Sequence, residues 1–286
     1  MSKARTASAL AVLVLAAGLT GCGSEDGTGK GGDAQARPSA TPPVRAVRDA
    51  YDRTVAAGTA KMTVTTEAVA DGQALTARGS GVADLRNGAS SVTLTSQGAT
   101  VEQRVVDGVV YQKPSGGQGG TVPGGKTWMR IDLARLTKKG SAGRSQVTDP
   151  AEPVRYLKGV GSAHVTRLGT QTLDGTPTTR YRVSVPVSAL TSGDAGRERE
   201  LRRQLGGSSL PVELWLDEHG RLRQESVRLT LHPLKGVTPG QANTAVTSTT
   251  VLRLSDYGTG ARITAPPAED TADVTDTMTR TRAGSS

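Results

Sequence analysis

The spacing of apolar and polar positions along this chain changes once, from a helical period to a period of two. From Val44 to Ala57 it is helical: Val44, Val47, Tyr51 and Val55 share one stripe, while Arg45, Arg48, Asp49 and Asp52 lie elsewhere. Gly58 closes that helix. Beyond it, Met62 and Val64 alternate with Lys61, Thr63 and Thr65, and Val92 and Leu94 with Ser91, Thr93 and Thr95. Met129, Ile131 and Leu133 alternate with Trp128, Arg130 and Asp132. Tyr181, Val183, Val185 and Val187 alternate with Arg180, Arg182, Ser184 and Pro186. Val212, Leu214 and Leu216 alternate with Glu213, Trp215 and Asp217, and Val227, Leu229 and Leu231 with Ser226, Arg228 and Thr230. Leu252 and Leu254 close the series. One apolar and one polar face per segment is the signature of antiparallel strands over a core.

Turn chemistry agrees with this reading. Asp107-Gly108 stands between Val105-Val106 and Val109-Val110-Tyr111, a strong hairpin signal. Asp174-Gly175 precedes the strand around Tyr181, and Glu218-His219-Gly220 joins two strands. Two short helices are expected, over Pro150 to Lys158 and over Asp194 to Leu205. Asp194 is the N-cap of the second, and Leu201 and Leu205 form its thin apolar stripe. The class is α+β, mostly β, with no repeat of fixed period.

Both ends of the chain carry different signals. Lys3 and Arg5 precede an apolar run from Ala7 to Leu19, about a dozen residues long and shorter than the ~20 that span a bilayer. The run ends in Leu19-Thr20-Gly21-Cys22, and Cys22 is the single cysteine of the chain. A charged start, a short apolar middle and small residues at the cut make a secretory signal over 1–21. Gly23 to Pro43 is Gly, Ser, Asp, Pro and Thr with almost no large apolar residue, so 22–43 reads as a flexible tether of roughly 25 Å. Ala268 to Ser286 has a similar composition and reads as a frayed tail, which leaves 44–267 as the folded domain.

Composition narrows the picture further. Without a second cysteine no disulfide staples the fold, so burial alone must hold it. Aromatic residues make up 2% and Phe is absent, so the core is built from Val, Leu, Ile, Ala and Met. The net charge of +9 suits acidic neighbours such as anionic headgroups, but outside Arg197 to Arg203 no compact basic run appears. That run, Arg-Glu-Arg-Glu-Leu-Arg-Arg, is mixed in sign, as on a solvated helix face. Nucleic acid is not an expected partner.

Catalytic patterns are weak. Gly120 to Thr127 matches a phosphate-binding G-x-x-x-x-G-K-T string, but Pro123 removes a backbone N–H and Lys126 leads into a strand rather than a helix. His164, His219 and His232 lack metal-ligand spacing. There is no G-x-S-x-G elbow and no visible carboxylate pair. The chain is therefore read as a non-enzyme without cofactor or metal.

The Leu-Thr-Gly-Cys22 ending resembles the bacterial lipobox, whose cysteine sulfur receives a diacylglyceryl group. Further strand-and-turn patterns are Leu168-Gly-Thr-Gln-Thr-Leu-Asp-Gly175 with Thr179-Arg-Tyr-Arg-Val183, and Val212-Glu-Leu-Trp-Leu-Asp217 with Gly220-Arg-Leu222. Leu254-Ser-Asp-Tyr-Gly258 with Ile263-Thr-Ala-Pro266 completes the set. Together with the tether, one helix and a hairpin-rich sheet, they resemble the LppX/LprG-type lipoproteins of high-GC Gram-positive bacteria, whose fold is similar to LolA. None of these patterns is catalytic, and the absent Phe and the Gly-rich insertion at 116–125 depart from the family. The resemblance implies a curved antiparallel sheet, a half-barrel, with a few helices on its concave face. It also implies anchoring through Cys22 at the extracytoplasmic face of the cell membrane and an acylated-lipid or glycolipid cargo in an apolar cavity. The apolar rows supply the expected lining: Met62, Val64, Met129, Ile131, Tyr181, Val183, Val185, Val212, Leu214, Leu216, Val227, Leu229 and Leu231. The competing reading is an anchored surface adaptor or sensor without cargo, using the loop at 114–126 and the helix Asp194 to Leu205 as contacts.

Overall fold

A computed structural model describes residues 42–70, 72–115, 122–138, 156–161, 164–191, 194–232 and 245–277, all within one compact unit, Thr41–Ser286. The signal, Cys22, the tether up to residue 41, the Gly-rich stretch 116–121 and most of the helix read over Pro150 to Lys158 lie outside these residues. The chain opens with helix α1, Pro43–Ala56, which has Pro at its first turn. Five strands follow: β1 Thr59–Ala70, β2 Gln73–Asp84, β3 Ala89–Ser96, β4 Ala99–Val106 and β5 Val109–Ser115. Next come β6 Trp128–Asp132, helix α2 Leu133–Lys138, a 3-10 turn Tyr156–Gly159, β7 Val165–Leu173 and β8 Thr176–Pro186. A helical turn α3, Val187–Leu190, leads to helix α4, Ala195–Leu205. Then follow β9 Ser209–Asp217, β10 Leu222–Leu231, β11 Val246–Ser255 and a short β12, Thr271–Asp273.

Among the described residues the strands form one open, curved sheet of twelve, ordered β12-β6-β5-β4-β3-β2-β1-β11-β10-β9-β8-β7. Every pairing is antiparallel except β12 with β6. The turns Asp107-Gly108 and Asp174-Gly175 each hold positive φ at both residues, the geometry that matches strand twist in a two-residue hairpin. Curvature has a local cause in β2. A Cβ on Gly81 would stand 2.0 Å from the Ser91 carbonyl oxygen, and one on Gly79 would stand 2.7 Å from Leu94 and Val64 side-chain carbons. The missing side chains let β1 and β3 close over the inner face at that point.

α1 packs on the inner face with Val47, Ala50 and Thr54 turned inward. The turn at Tyr156–Gly159 locks beside it: Arg48 donates to the Val160 carbonyl at 2.6 Å, and Lys158 pairs with Asp52 at 2.8 Å while lying over the Tyr51 ring. Around this helix lies the main core, which includes Ala60, Met62, Ala83, Leu85, Leu157, Val183, Val212, Leu214 and Leu254. A smaller core joins Val105, Val110, Ile131 and Val274. α4 begins at Asp194, whose carboxylate caps Gly196 and Arg197, and ends at Gly206 in the left-handed region.

Three sequence readings are corrected. Leu133 and Val187 do not extend their strands; each opens a helical segment instead. The tail does not begin at Ala268. Ala268–Asp270 forms a 3-10 turn, and β12 then pairs with β6 because Arg130 and Arg135 both bind Asp273 and Val274 fills the smaller core. Trp128 and Trp215 lie on the polar face as read, yet each is only 6% exposed. Guanidinium groups cover them, Arg104 at 4.7 Å from one ring centroid and Arg180 at 5.1 Å from the other.

Candidate functional site

Register decides which side chains share a surface, because directly paired residues project to the same side of a sheet. Met62 pairs with Leu254 and Gly81; Gly81 pairs with Val92, Val92 with Gln103, Gln103 with Gln112 and Gln112 with Met129. Val64 pairs with Leu252, which leads through Glu225 and Leu214 to Tyr181. Val227 pairs with Val212, and Val212 with Val183. With strand alternation, these pairings bring all thirteen expected lining residues onto the inner face.

They do not share one environment there. Met62, Tyr181, Val183, Val185, Val212, Leu214 and Leu216 are buried in the main core around α1, and Val227 packs half-buried against it. Ile131 is buried in the smaller core, with Met129 beside it. Val64, Leu229 and Leu231 are half-buried and belong to neither cluster. Leu94, Val101 and Val246 continue the same face and are also half-buried. The inner face is thus packed solid under α1 and becomes more open toward the turn between β1 and β2.

Sequence reading missed Val101, Gln103, Gln112, Val246 and Glu225 on the inner face, and of these Glu225 is the buried one. Glu225 is 3% exposed, paired with Leu214 on one side and Leu252 on the other. The parity of Val227, Leu229 and Leu231 carries back to it, which is the signal that could have found it.

Elsewhere the polar groups serve structure. Glu213 sits between Arg180 and Arg182; burial works against its charge, and the two guanidiniums outweigh that and hold its carboxyl below the usual range. Partial burial, with the nearby Asp217 carboxylate, holds the Tyr257 phenol well above the usual tyrosine range, and its hydroxyl donates to the Leu222 carbonyl. The Asp217 carboxylate in turn accepts from the backbone of His219 and Arg221 and from the Arg221 side chain. His164, His219 and His232 are all exposed. Among the described residues no group of three or more His, Cys, Asp or Glu side chains is placed to hold a metal. Lys126 leads into β6, not into a helix, and its ammonium donates to the Glu269 carbonyl. Clefts of about 340 and 200 Å³ flank the β7–β8 turn, and none of the thirteen expected residues lines them. No described helix is long and apolar enough to cross a membrane.

No family model matches the chain. A curated relative, an uncharacterized 31.2 kDa protein in the rplA–rplJ intergenic region of Streptomyces griseus, is 28% identical over 257 residues, covering 81% of this chain and 79% of that one. Similar solved structures include LprF from Mycobacterium bovis, at 13% identity and TM-score 0.41 over 79% of this chain and 97% of that one. LppX from Mycobacterium tuberculosis aligns at 16% identity and TM-score 0.36 over 77% and 99%. A LolA-superfamily protein from Nitrosomonas europaea aligns at 12% and 0.28 over 80% and 97%.

Proposed function

We propose that this chain is a lipoprotein of the cell envelope, anchored through an acylated Cys22, that binds acylated lipid against its inner face. The observation that carries the reading is the open part of that face. Beyond α1 two half-buried aliphatic groups share that face, Val64 with Leu94 and Val101, and Leu229 and Leu231 with Val246, with Thr66, Thr250 and Ser248 between them. Each methylene of an acyl chain laid there gains about 0.8 kcal/mol, so one long chain supplies ample affinity. Aliphatic walls without Phe suit flexible chains better than flat rings. The packed residues under α1, Leu214 and Val183 among them, are fully buried and hold the helix rather than the lipid.

Mass spectrometry of organic extracts tests this reading on the chain from residue 22 onward carrying Cys22→Ala. Acyl lipid at near one equivalent is the expected result. A clean extract, with no uptake of added phospholipid, favours the anchored adaptor instead.

A further inference from the structure

Many guanidiniums of this sheet are neutralised by a carboxylate. Arg104 meets Glu102, Arg180 and Arg182 meet Glu213, Arg221 meets Asp217, and Arg130 and Arg135 share Asp273. Arg223 and Arg253 differ, because their hydrogen-bond partners among the described residues are neutral. Arg253 donates from Nε to the Gln224 carboxamide at 2.7 Å, and Arg223 donates to the Thr176 hydroxyl at 3.3 Å. Gln224 is only 7% exposed, so the acceptor that holds Arg253 is itself fixed. Arg223 also lies 5.6 Å from the centroid of the Tyr257 ring. Held by neutral groups, both side chains keep their full charge and give up rotamer freedom before any ligand arrives.

Both line the cleft of about 200 Å³ beside the β7–β8 turn. One wall is the outer face of β1 and β11, where Thr63 pairs with Arg253 and Ser255 follows on the same side. The other wall is the tip of the β7–β8 hairpin, Leu173 and Asp174, which the Thr176 contact holds against Arg223. Asp174 shares the cleft with two guanidiniums and forms an ion pair with neither. The hydroxyls of Thr63 and Ser255 have no side-chain partner among the described residues. At the rim Lys61 and Asp256 pair at 2.8 Å and cancel. The cleft thus carries two positive charges against one negative, held apart across a small space. Its volume is below the ~300 Å³ at which pockets for larger organic ligands begin.

We propose that this cleft binds a small phosphate ester, with its oxyanion on the Arg223 and Arg253 guanidiniums and a hydroxyl of the same ligand on the Asp174 carboxylate. Planar guanidiniums match phosphate oxygens, and the Thr63 and Ser255 hydroxyls add donors on the same wall. Asp174 decides between ligands. Inorganic phosphate would meet the two arginines but set its own charge against that carboxylate, whereas an ester with a neutral hydroxyl gives Asp174 a donor to accept. Glycerol phosphate has this chemistry, both free in solution and as the headgroup of phosphatidylglycerol. The cleft lies on the outer face, so it is separate from the inner face proposed to hold acyl chains.

The test uses the nitrogen-15-labelled chain from residue 22 onward with Cys22→Ala, titrated with millimolar glycerol 3-phosphate at low salt. Backbone amides of Asp174, Arg223, Arg253 and Ser255, and the Nε–H groups of the two arginines, should shift along one saturating curve. Arg223→Gln or Arg253→Gln should weaken binding roughly tenfold with the thermal midpoint unchanged. Asp174→Asn should tighten inorganic phosphate and leave glycerol phosphate no tighter, so that the parent's preference for the ester disappears. Shifts that do not saturate, or that survive both arginine substitutions, overturn the site. Equal affinity of the parent for inorganic phosphate and glycerol phosphate overturns the ester and the role of Asp174. Dihexanoyl phosphatidylglycerol separates the two sources: competition at the same residues places the ligand on a lipid headgroup, exclusion places it in solution, and either result upholds the site.

Discussion

At the scale of single residues, the same apolar row holds side chains with opposite roles. Leu214 is fully buried beneath α1, whereas Leu229 on the neighbouring strand is half-buried and outside the core. Leu214→Trp should overpack and cost about 1–3 kcal/mol. Leu229→Trp should leave the unfolding midpoint nearly unchanged and yet reduce uptake of acyl lipid. Chemical denaturation beside a lipid-binding titration separates the two, and equal destabilisation at both positions would argue for a filled interior. Thr54 is a second informative residue. Fully buried on α1, its hydroxyl accepts the Leu222 amide at 2.9 Å and thereby ties the helix to the start of β10. Thr54→Val keeps the shape but strands that N–H, so a loss of about 1–3 kcal/mol is expected in a urea titration.

At the scale of elements, β12 is held more by charge than by length. Its three residues pair with β6, and Asp273 receives both Arg130 and Arg135 at 2.7 and 2.8 Å. Burial opposes ionisation of Asp273. The hydrogen bonds from Thr275 and the two guanidiniums outweigh it and hold the carboxyl below its ordinary value of 3.8. A depressed folded value means that the stabilisation is complete above the unfolded value and is lost as pH falls through the folded one. Asp273→Asn should therefore lower the thermal midpoint at pH 7, and the gap from the parent should close toward pH 3. A gap that does not vary with pH would show that the ion pairs contribute nothing to holding the strand.

At the scale of the whole molecule, anchoring and folding are separable. The described fold begins at residue 42 and belongs to a compact unit that starts at Thr41. Cys22→Ala in the full chain should abolish incorporation of labelled fatty acid and release the processed protein from membranes. The thermal midpoint of the domain should stay within about a degree or two. Retention of that variant in membranes after a high-salt wash would place the anchor elsewhere.

Alternation alone determined much of this protein. It set the face of nearly every strand residue, and Asp194 and the Asp-Gly pairs set the capped helix and the hairpin turns at Asp107 and Asp174, because these depend on neighbours within a few positions; of the expected α1 stripe only Val47 is among the buried residues, with Ala50 and Thr54. The thirteen apolar residues were legible as one face for the same reason. Their division into packed core and open surface was not, since it depends on where α1 lies across strands more than a hundred residues away. The burial of Trp128 and Trp215 on the polar face needed cross-strand arginines to cover them. The ordering of the segment after Ala268 needed Arg130 and Arg135, about 140 residues earlier in the chain, to meet Asp273. Local period is written in the residues themselves, whereas filling, covering and closing are contacts between distant segments, and only the tertiary structure brings those together.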